Sequence, residues 1–221
     1  MKNIQPGLLI LIGLLVVVAA LGLWRLFSPE TSGNENAVTF QRIKQLANND
    51  DQAALADAVA NKDVKSSYRA VRAMGRVGPK AISGIRLAMK DPRPKIRVAA
   101  MIAVSRAGDE SDRPVLAKIV LADPSPEVKM EAAKTLGRTG AYTEIESLFQ
   151  AMEDGNEKVR FSANESIVKI SGVSVGFDAK APSAQRKIAI GELRALYSTV
   201  RSRTEQFWQN KKRYKEEHPE D

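Results

Sequence analysis

The side chains that most often carry chemistry are scarce in this 221-residue chain. It has no cysteine and one histidine, His218, so neither a thiolate nucleophile nor a Cys- or His-rich metal site can be built. The sequence contains no Gly-rich phosphate loop and no Gly-x-Ser-x-Gly nucleophile motif. We therefore predict no catalytic residue, no metal site and no cofactor.

Basic residues are concentrated in one stretch of the sequence, and such a stretch is suited to binding a partner. Twelve lysines and arginines but only two acidic residues lie between residues 62 and 106, a local excess of ten positive charges in a chain whose net charge is +8. A surface of one sign favours acidic partners. We predict a partner-binding surface made of five of these cations: Lys65, Arg69, Arg72, Arg76 and Arg106. The alternative is a solvated face that only confers solubility.

The element that must position these cations is a helix that recurs along the chain. One copy begins at Pro126, whose ring suits the first helical position, and ends at Gly140, which can adopt the left-handed conformation that closes helices. Between them Val128, Ala132 and Leu136 fall on one apolar face. Four such rows start 30, 32 and 31 residues apart: Ser66–Ala70–Met74–Gly78, Ile96–Ala100–Val104–Gly108, Val128–Ala132–Leu136–Gly140 and Val159–Ala163–Ile167–Ser171. A fixed period of this length with a small central residue is typical of a helical solenoid.

At these residues the chain resembles the HEAT repeat family, in its short bacterial form also called PBS-lyase HEAT-like. The phrases Asp91-Pro…Ile96-Arg97-Val-Ala-Ala and Asp123-Pro…Val128-Lys129…Ala-Ala-Lys-Thr-Leu-Gly carry the resemblance, which covers roughly residues 50–172. The resemblance implies an all-α protein: a right-handed α-solenoid of about four HEAT-like helix pairs, with the second helices on its concave side.

Two further rows of charged residues repeat through the stack. The resemblance implies that the first row is structural and forms a ladder between repeats, aspartate to cation: Asp91, Asp123 and Asp154 with Arg97, Lys129 and Arg160. The second row lies in the last turn of each second helix: Arg76, Arg106, Arg138 and Lys169. A cation there complements the negative end of the helix, so these positions can be explained without a ligand.

The N-terminal residues have the composition of a membrane span. Between Ile4 and Trp24 no residue carries a formal charge, and these 21 residues would reach about 30 Å as a helix, enough to cross a bilayer. The alternative is a cleavable signal peptide, but the run is long for one, and Val18-Ala-Ala lies inside it. The free amine and Lys2 precede the span, whereas Arg25 follows it with Glu30 and Glu35 further on, a distribution that slightly favours a cytoplasmic N-terminus. We therefore predict a single-pass protein of the bacterial inner membrane with an extracytoplasmic body.

A long helix is predicted after the repeats. Ser183 can serve as its N-cap, and apolar residues follow in alternating steps of three and four: Ile190, Leu193, Tyr197, Val200, Thr204 and Phe207. The first half of this helix would cap the fourth repeat. Alternatively, this row of apolar residues, the seam, would extend into a coiled-coil or partner-binding arm. The predicted organisation is a transmembrane signal-anchor (1–27), a linker (28–38), the HEAT-like repeat domain (39–172), a loop (173–183), the C-terminal helix (184–213) and a charged tail (214–221).

These features favour a membrane-tethered, non-catalytic HEAT-repeat scaffold that binds a protein or another acidic partner through a concave, partly basic surface. Two alternatives remain. One is a nucleic-acid-binding protein, which the anchor disfavours, and the other is a module that docks on anionic lipid headgroups. Bilin lyases use a HEAT-like scaffold, so the resemblance also admits a lyase-type enzyme. Because no catalytic constellation accompanies the repeats, we rank that function last and expect no enzyme.

Overall fold

The computed structural model describes residues 32–218. In this part of the chain there are ten α-helices and three single-turn 3₁₀ helices, and no strand occurs. The α-helices are α1 (Ser32–Asn48), α2 (Gln52–Ala60), α3 (Val64–Val77), α4 (Ile82–Ala88), α5 (Pro94–Ala107), α6 (Arg113–Ala122), α7 (Pro126–Thr139), α8 (Ile145–Ala151), α9 (Glu157–Ser171) and α10 (Ser183–Glu217). The predicted all-α class is confirmed for the described residues.

Helices α2 to α9 form four pairs that stack on one another. The second helices of the pairs, α3, α5, α7 and α9, pack directly against their neighbours along the stack. The aligned alanines at their centres are buried, with at most 4% exposure: Ala70, Ala100, Ala132 and Ala163. The packing is close, because a Cβ built on Gly75 of α3 would lie 2.8 Å from the Cα of Ala103 in α5. This arrangement is the predicted HEAT-like solenoid.

Prolines and glycines set the ends of the second helices as the sequence predicts. Pro94 and Pro126 lie in the first turn of α5 and α7, where a missing N–H costs nothing. Gly140 closes α7 with φ 63° and ψ 42°, a left-handed conformation that is unfavourable for residues with a Cβ. The helix limits therefore follow from local residue preferences.

An ion-pair ladder ties successive repeats together, as the resemblance implied. Arg97 of α5 donates to both carboxylate oxygens of Asp123 at 2.8 Å and to the carbonyl oxygen of Asp91 at 2.8 Å. Lys129 of α7 pairs with Asp154 at 2.9 Å. The side chains of Arg97 and Asp123 are only 10% and 7% exposed, so this pair is largely shielded from water and the aspartates have the predicted structural role.

The ladder is completed differently at its two ends. In the first repeat Ser67 stands where later repeats carry a cation, and Arg93 of the second repeat instead donates to the carbonyl oxygen of Asn61 at 2.7 Å. In the last repeat Arg160 has no aspartate of a following repeat to pair with. Its Nε–H donates to the carbonyl oxygen of Ala179 at 2.8 Å. The segment after α9 thus takes the place of a fifth repeat's turn.

The carboxylate of Asp91 should make stability depend on pH. The side-chain hydrogen bond from Arg93 is the main reason that the pKa of Asp91 lies below its ordinary value. A lowered folded-state pKa means that this stabilisation is complete above the unfolded-state pKa of about 3.9 and is lost as the pH falls through the folded pKa. The difference in free energy of unfolding between wild type and Asp91→Asn should therefore shrink from about pH 7 to about pH 3.

Urea unfolding at both pH values measures this difference. Asp57→Asn is the control, because Asp57 is an exposed carboxylate on α2 and its replacement should have a small effect at either pH. A wild-type to Asp91→Asn difference that does not change with pH would contradict a stabilising role for the ionised Asp91.

The C-terminal half of α1 packs on the first helix pair and covers it. Ile43 and Ala47 are buried, and the ring of Phe40 is half-buried against the core. The helix begins at Ser32, inside the segment that the sequence assigns to the linker.

The predicted membrane span, Ile4 to Trp24, lies outside the described residues. Among the helices that the structure describes, none is both long and apolar enough to cross a bilayer.

Helix α10 lies against the third and fourth repeats along much of its length. Buried or half-buried side chains recur along one face of the helix: Ile190, Leu193, Tyr197, Val200, Thr204 and Trp208. Arg194 forms two hydrogen bonds with Glu146 of α8, at 2.5 and 2.7 Å. The expected cap on the fourth repeat is therefore present, and the contacts of this seam are made within the chain.

The predicted seam is wrong at its last position. Phe207 is 57% exposed, and its neighbour Trp208 packs against the core instead. A straight α-helix has 3.6 residues per turn, so five turns advance about 18 residues, from Ile190 to Trp208. Alternating steps of three and four assume the 3.5-residue period of a supercoiled helix. The observed helix follows the straight period, which moves the contact by one residue.

Candidate ligand groove

The five cations that were predicted to bind a partner come from two helices, α3 and α5. Four of them lie along α3: Lys65, Arg69, Arg72 and Arg76. Arg106, in contrast, is exposed at the end of α5 and lines a groove that none of the other four lines. The guanidinium of Arg76 lies 4.3 Å from the centre of the Phe40 ring, so this residue also helps to hold α1 on the first repeat. A partner-binding role for the four α3 residues stays a prediction.

A tyrosine on α3 was missed by the sequence analysis. The guanidinium carbon of Arg72 lies 5.9 Å, and the ammonium nitrogen of Lys95 lies 5.6 Å, from the centre of the Tyr68 ring. Lys95 belongs to the next repeat, so the sequence spacing within one helix could not associate it with Tyr68. The α3 surface is therefore both basic and aromatic.

The groove lined by Arg106 is a candidate site for a ligand. It lies where the ends of α5 and α7 meet the last turns of α10, and its volume is about 740 Å³. Small-molecule sites are typically roughly 300–1,000 Å³. Six cations line it: Arg106, Arg113, Arg138, Lys211, Lys212 and Lys215. Two aromatic rings and three carboxylates also line it: Tyr142 and Trp208 with Asp109, Glu110 and Glu216.

Ion pairs neutralise part of this positive charge. Glu110 contacts Arg113 at 3.4 Å and Lys212 at 3.0 Å, and its hydrogen bond with Lys212 raises the pKa of that ammonium group. Arg138 pairs with Glu131 of its own helix. These three cations are therefore held by the protein and contribute to the walls of the groove.

Two of the remaining cations are available to a ligand. Arg106 and Lys215 both line the groove, and neither side chain forms an ion pair or hydrogen bond with another residue of the described range. They come from different elements, α5 and α10, so they can contact an anionic molecule from two sides. The groove thus combines two uncompensated positive charges with aromatic surface.

Trp208 supplies the larger aromatic surface and is firmly placed. Its indole N–H donates to the carbonyl oxygen of Ile170 at 2.8 Å, and its ring lies directly above Gly140. Lys211 lies 4.8 Å from the centre of the ring. The second ring, Tyr142, follows Gly140 in the turn after α7. Both rings are therefore positioned by the end of α7.

The chemistry of the lining favours binding of a flat, anionic molecule. Arg106 and Lys215 can pair with carboxylates, and the rings can pack on a conjugated system. The hydroxyl of Ser111 hydrogen-bonds to Asp109 and is the main reason that the pKa of Asp109 is lowered. An ionised Asp109 can accept N–H groups from a ligand. In residues 32–218 no cluster of His, Cys, Asp or Glu could hold a metal ion.

Sequence reasoning found one of the groove residues, Arg106, and missed the others. The sequence signal for the others was the run Lys211-Lys-Arg-Tyr-Lys. Its lysines Lys211 and Lys215 are four residues apart, so they share one face of a helix. This run was assigned partly to the C-terminal helix and partly to the charged tail, because nothing local shows that α10 reaches the third repeat.

Comparisons with known proteins agree with the fold. Residues 113–182 match the family model for HEAT repeats. The chain is similar to the bilin biosynthesis protein MpeU of Synechococcus sp. (strain WH8020), with 30% identity over 105 residues. The similarity covers 46% of this chain and 35% of MpeU, so the chain spans about a third of the length of that curated relative.

The chain also matches part of a solved structure. The complex of CpcE and CpcF of phycocyanin lyase from Nostoc sp. PCC7120 contains a chain that is 18% identical, with a TM-score of 0.48. The likeness covers 68% of this chain and 97% of that chain. An identity this low does not by itself indicate a shared activity.

The expected function has to be corrected in the light of the curated relative. The preferred hypothesis was a non-catalytic scaffold, with a lyase-type enzyme ranked last. Similarity to a protein named for bilin biosynthesis contradicts that ranking, and it also contradicts the expectation that the chain is no enzyme. The error arose because the absence of familiar catalytic motifs was taken as evidence against an enzyme. A site assembled from dispersed cations and rings leaves no such motif.

Proposed function

We propose that this protein is a lyase-type HEAT-like protein and that its groove binds a bilin. The supporting observation is the pairing of two uncompensated cations, Arg106 and Lys215, with the rings of Tyr142 and Trp208. A bilin is an open-chain tetrapyrrole with a conjugated ring system, carboxylate side chains and pyrrole N–H groups. Each of these three features has a counterpart in the groove.

The proposed binding mode assigns a task to each group. Arg106 and Lys215 pair with the carboxylates, and Trp208 packs against the pyrrole rings. The ionised Asp109 accepts pyrrole N–H groups. Because the chain has no cysteine, any thiol that takes part in the chemistry must come from another molecule. A protein partner, which the sequence also predicts, remains part of this proposal.

Attachment to a membrane is a separate proposal that bilin binding does not require. It rests on the uncharged residues 4–24, which would tether an extracytoplasmic body to the bacterial inner membrane. A C-terminal reporter fusion that is active only outside the cytoplasm tests it.

Arg106→Ala should weaken bilin binding by the full chain. Hydrogen bonds to charged groups contribute about 1.5–3 kcal/mol, so we expect the Kd for biliverdin, used as the probe, to rise about tenfold or more. Titration followed by the absorbance of biliverdin and by quenching of tryptophan fluorescence measures the Kd. The control is Lys118→Ala, which removes an exposed cation of α6 that does not line the groove.

Two results would contradict the proposed function. One is a wild-type protein that does not bind biliverdin. The other is an equal loss of affinity in Arg106→Ala and Lys118→Ala, which would indicate that only the overall positive charge attracts the pigment.

A further inference from the structure

The groove is a composite site, because one of its walls is the solvent-exposed end of helix α10. Lys211, Lys212 and Lys215 of α10 supply half of the cations that line it. From Gln209 to His218 every residue is exposed. An ion pair between Lys212 and Glu110, at 3.0 Å, links this segment to the repeats. Trp208 is therefore the last residue of α10 that is packed against the repeats.

The ring of Trp208 is seated on the ends of two second helices, α7 and α9. A Cβ added to Gly140, at the end of α7, would lie 2.2–2.4 Å from three carbon atoms of the Trp208 ring. The ring therefore occupies space that exists only because residue 140 is glycine. The indole N–H donates to the carbonyl oxygen of Ile170, one of the last four carbonyls of α9, which have no partner within the helix. Shape and hydrogen bonding both select this one position for the ring.

We infer that Trp208 is a positioning residue: its seating on Gly140 holds the last turns of α10 against the repeats and so brings Lys215 to the side of the groove opposite Arg106. For the identity of the ligand this inference rests on the proposed function. It adds that the groove forms only while Trp208 is seated. A ligand that contacts both walls then favours the seated helix, and seating favours the ligand by the same factor.

The inference is tested by measuring where the end of α10 lies. Because the chain has no cysteine, spin labels can be attached to full-length protein at Lys134→Cys on α7 and Gln206→Cys on α10, two exposed positions. Pulsed EPR without ligand should give one narrow distance distribution. Gly140→Ala should broaden it, because the added methyl group and the indole ring cannot occupy the same space.

Gly172→Ala is the matched control for backbone strain. Gly172 also ends a second helix in the left-handed conformation, with φ 74°, but nothing lies within 4 Å of its added Cβ. We expect Gly172→Ala to keep the narrow distribution. Trp208→Ala should broaden the distribution, and adding Gly140→Ala to that variant should have no further effect. Unchanged distances in Gly140→Ala, or equal broadening in Gly172→Ala, would overturn the positioning role. Circular dichroism of each variant verifies that the repeats are folded.

Biliverdin binding by the same variants separates this inference from the proposed function. Coupling between sites typically amounts to 5–150-fold, so Gly140→Ala should raise the Kd roughly tenfold and Gly172→Ala should leave it nearly unchanged. Distances that respond as expected in a protein without affinity for biliverdin would contradict the bilin hypothesis and support the seating of α10. Normal biliverdin affinity in Gly140→Ala would contradict the composite groove.

Discussion

Arg97→Ala is expected to lower the free energy of unfolding by about 3–5 kcal/mol, the usual cost of removing one partner from a buried ion pair. Arg97 donates to both carboxylate oxygens of Asp123 and to the carbonyl oxygens of Asp91 and Pro92. Its removal would leave the negative charge of Asp123 shielded from water and without its arginine partner. It would also remove one of the polar links between the second and third repeats, which Arg86 with Asp112 and Thr135 with the carbonyl oxygen of Met101 also connect.

The loss should also change the shape of the unfolding curve. In a solenoid, stability is the sum of repeat terms and interface terms, so a weakened interface lets the two halves of the stack unfold separately. Urea unfolding followed by circular dichroism should show a lower midpoint and a broader transition.

The control for this prediction is an ion pair of similar type at the surface. Arg201→Ala removes the pair with Glu205 on α10, in which the arginine side chain is 68% exposed. Exposed pairs contribute about 0–1 kcal/mol. Similar losses in Arg97→Ala and Arg201→Ala would show that the ladder does not stabilise the stack.

Gly75→Ala and Gly191→Ala should have effects of opposite sign, although both glycines lie inside helices. At Gly75 the new Cβ would lie 2.8 Å from the Cα and 2.9 Å from the Cβ of Ala103. Because the nearest atom belongs to the backbone, α3 and α5 must move apart. Overpacking of this kind costs about 1–3 kcal/mol.

At Gly191 of α10 no atom lies within 4 Å of the added Cβ. Alanine there gains the helix propensity that glycine lacks, about 0.8–1.0 kcal/mol. Chemical unfolding of both variants beside wild type measures the two differences. A stabilising Gly75→Ala would mean that the second helices are not in close contact at this point.

The two predictions depend on features that differ in how well the sequence reveals them. The ladder could be anticipated because its members recur with the repeat, and the structure confirms Arg97 with Asp123 and Lys129 with Asp154. The partner of Arg160 could not be anticipated. The repeat pattern has ended there, and the carbonyl oxygen of Ala179 comes from an irregular segment.

The residues of the candidate site also differ in how well the sequence reveals them. Arg106 was found because it belongs to the cluster of cations between residues 62 and 106. The contribution of Lys215 and Trp208 depends on the direction of a single long helix, which no repeated pattern constrains. Even the residue that closes the seam, Trp208 in place of Phe207, depended on whether α10 is straight or supercoiled.

By itself, the sequence determined the helices, their pairing and the buried rows of alanines, because these follow from local preferences and from a period repeated four times. The tertiary structure decided where α10 lies, which cations remain unpaired and where a groove forms. Those outcomes depend on contacts between residues far apart in the chain, such as Trp208 with Gly140 and Lys212 with Glu110. Contacts of this kind occur once and leave no periodic signal in the sequence.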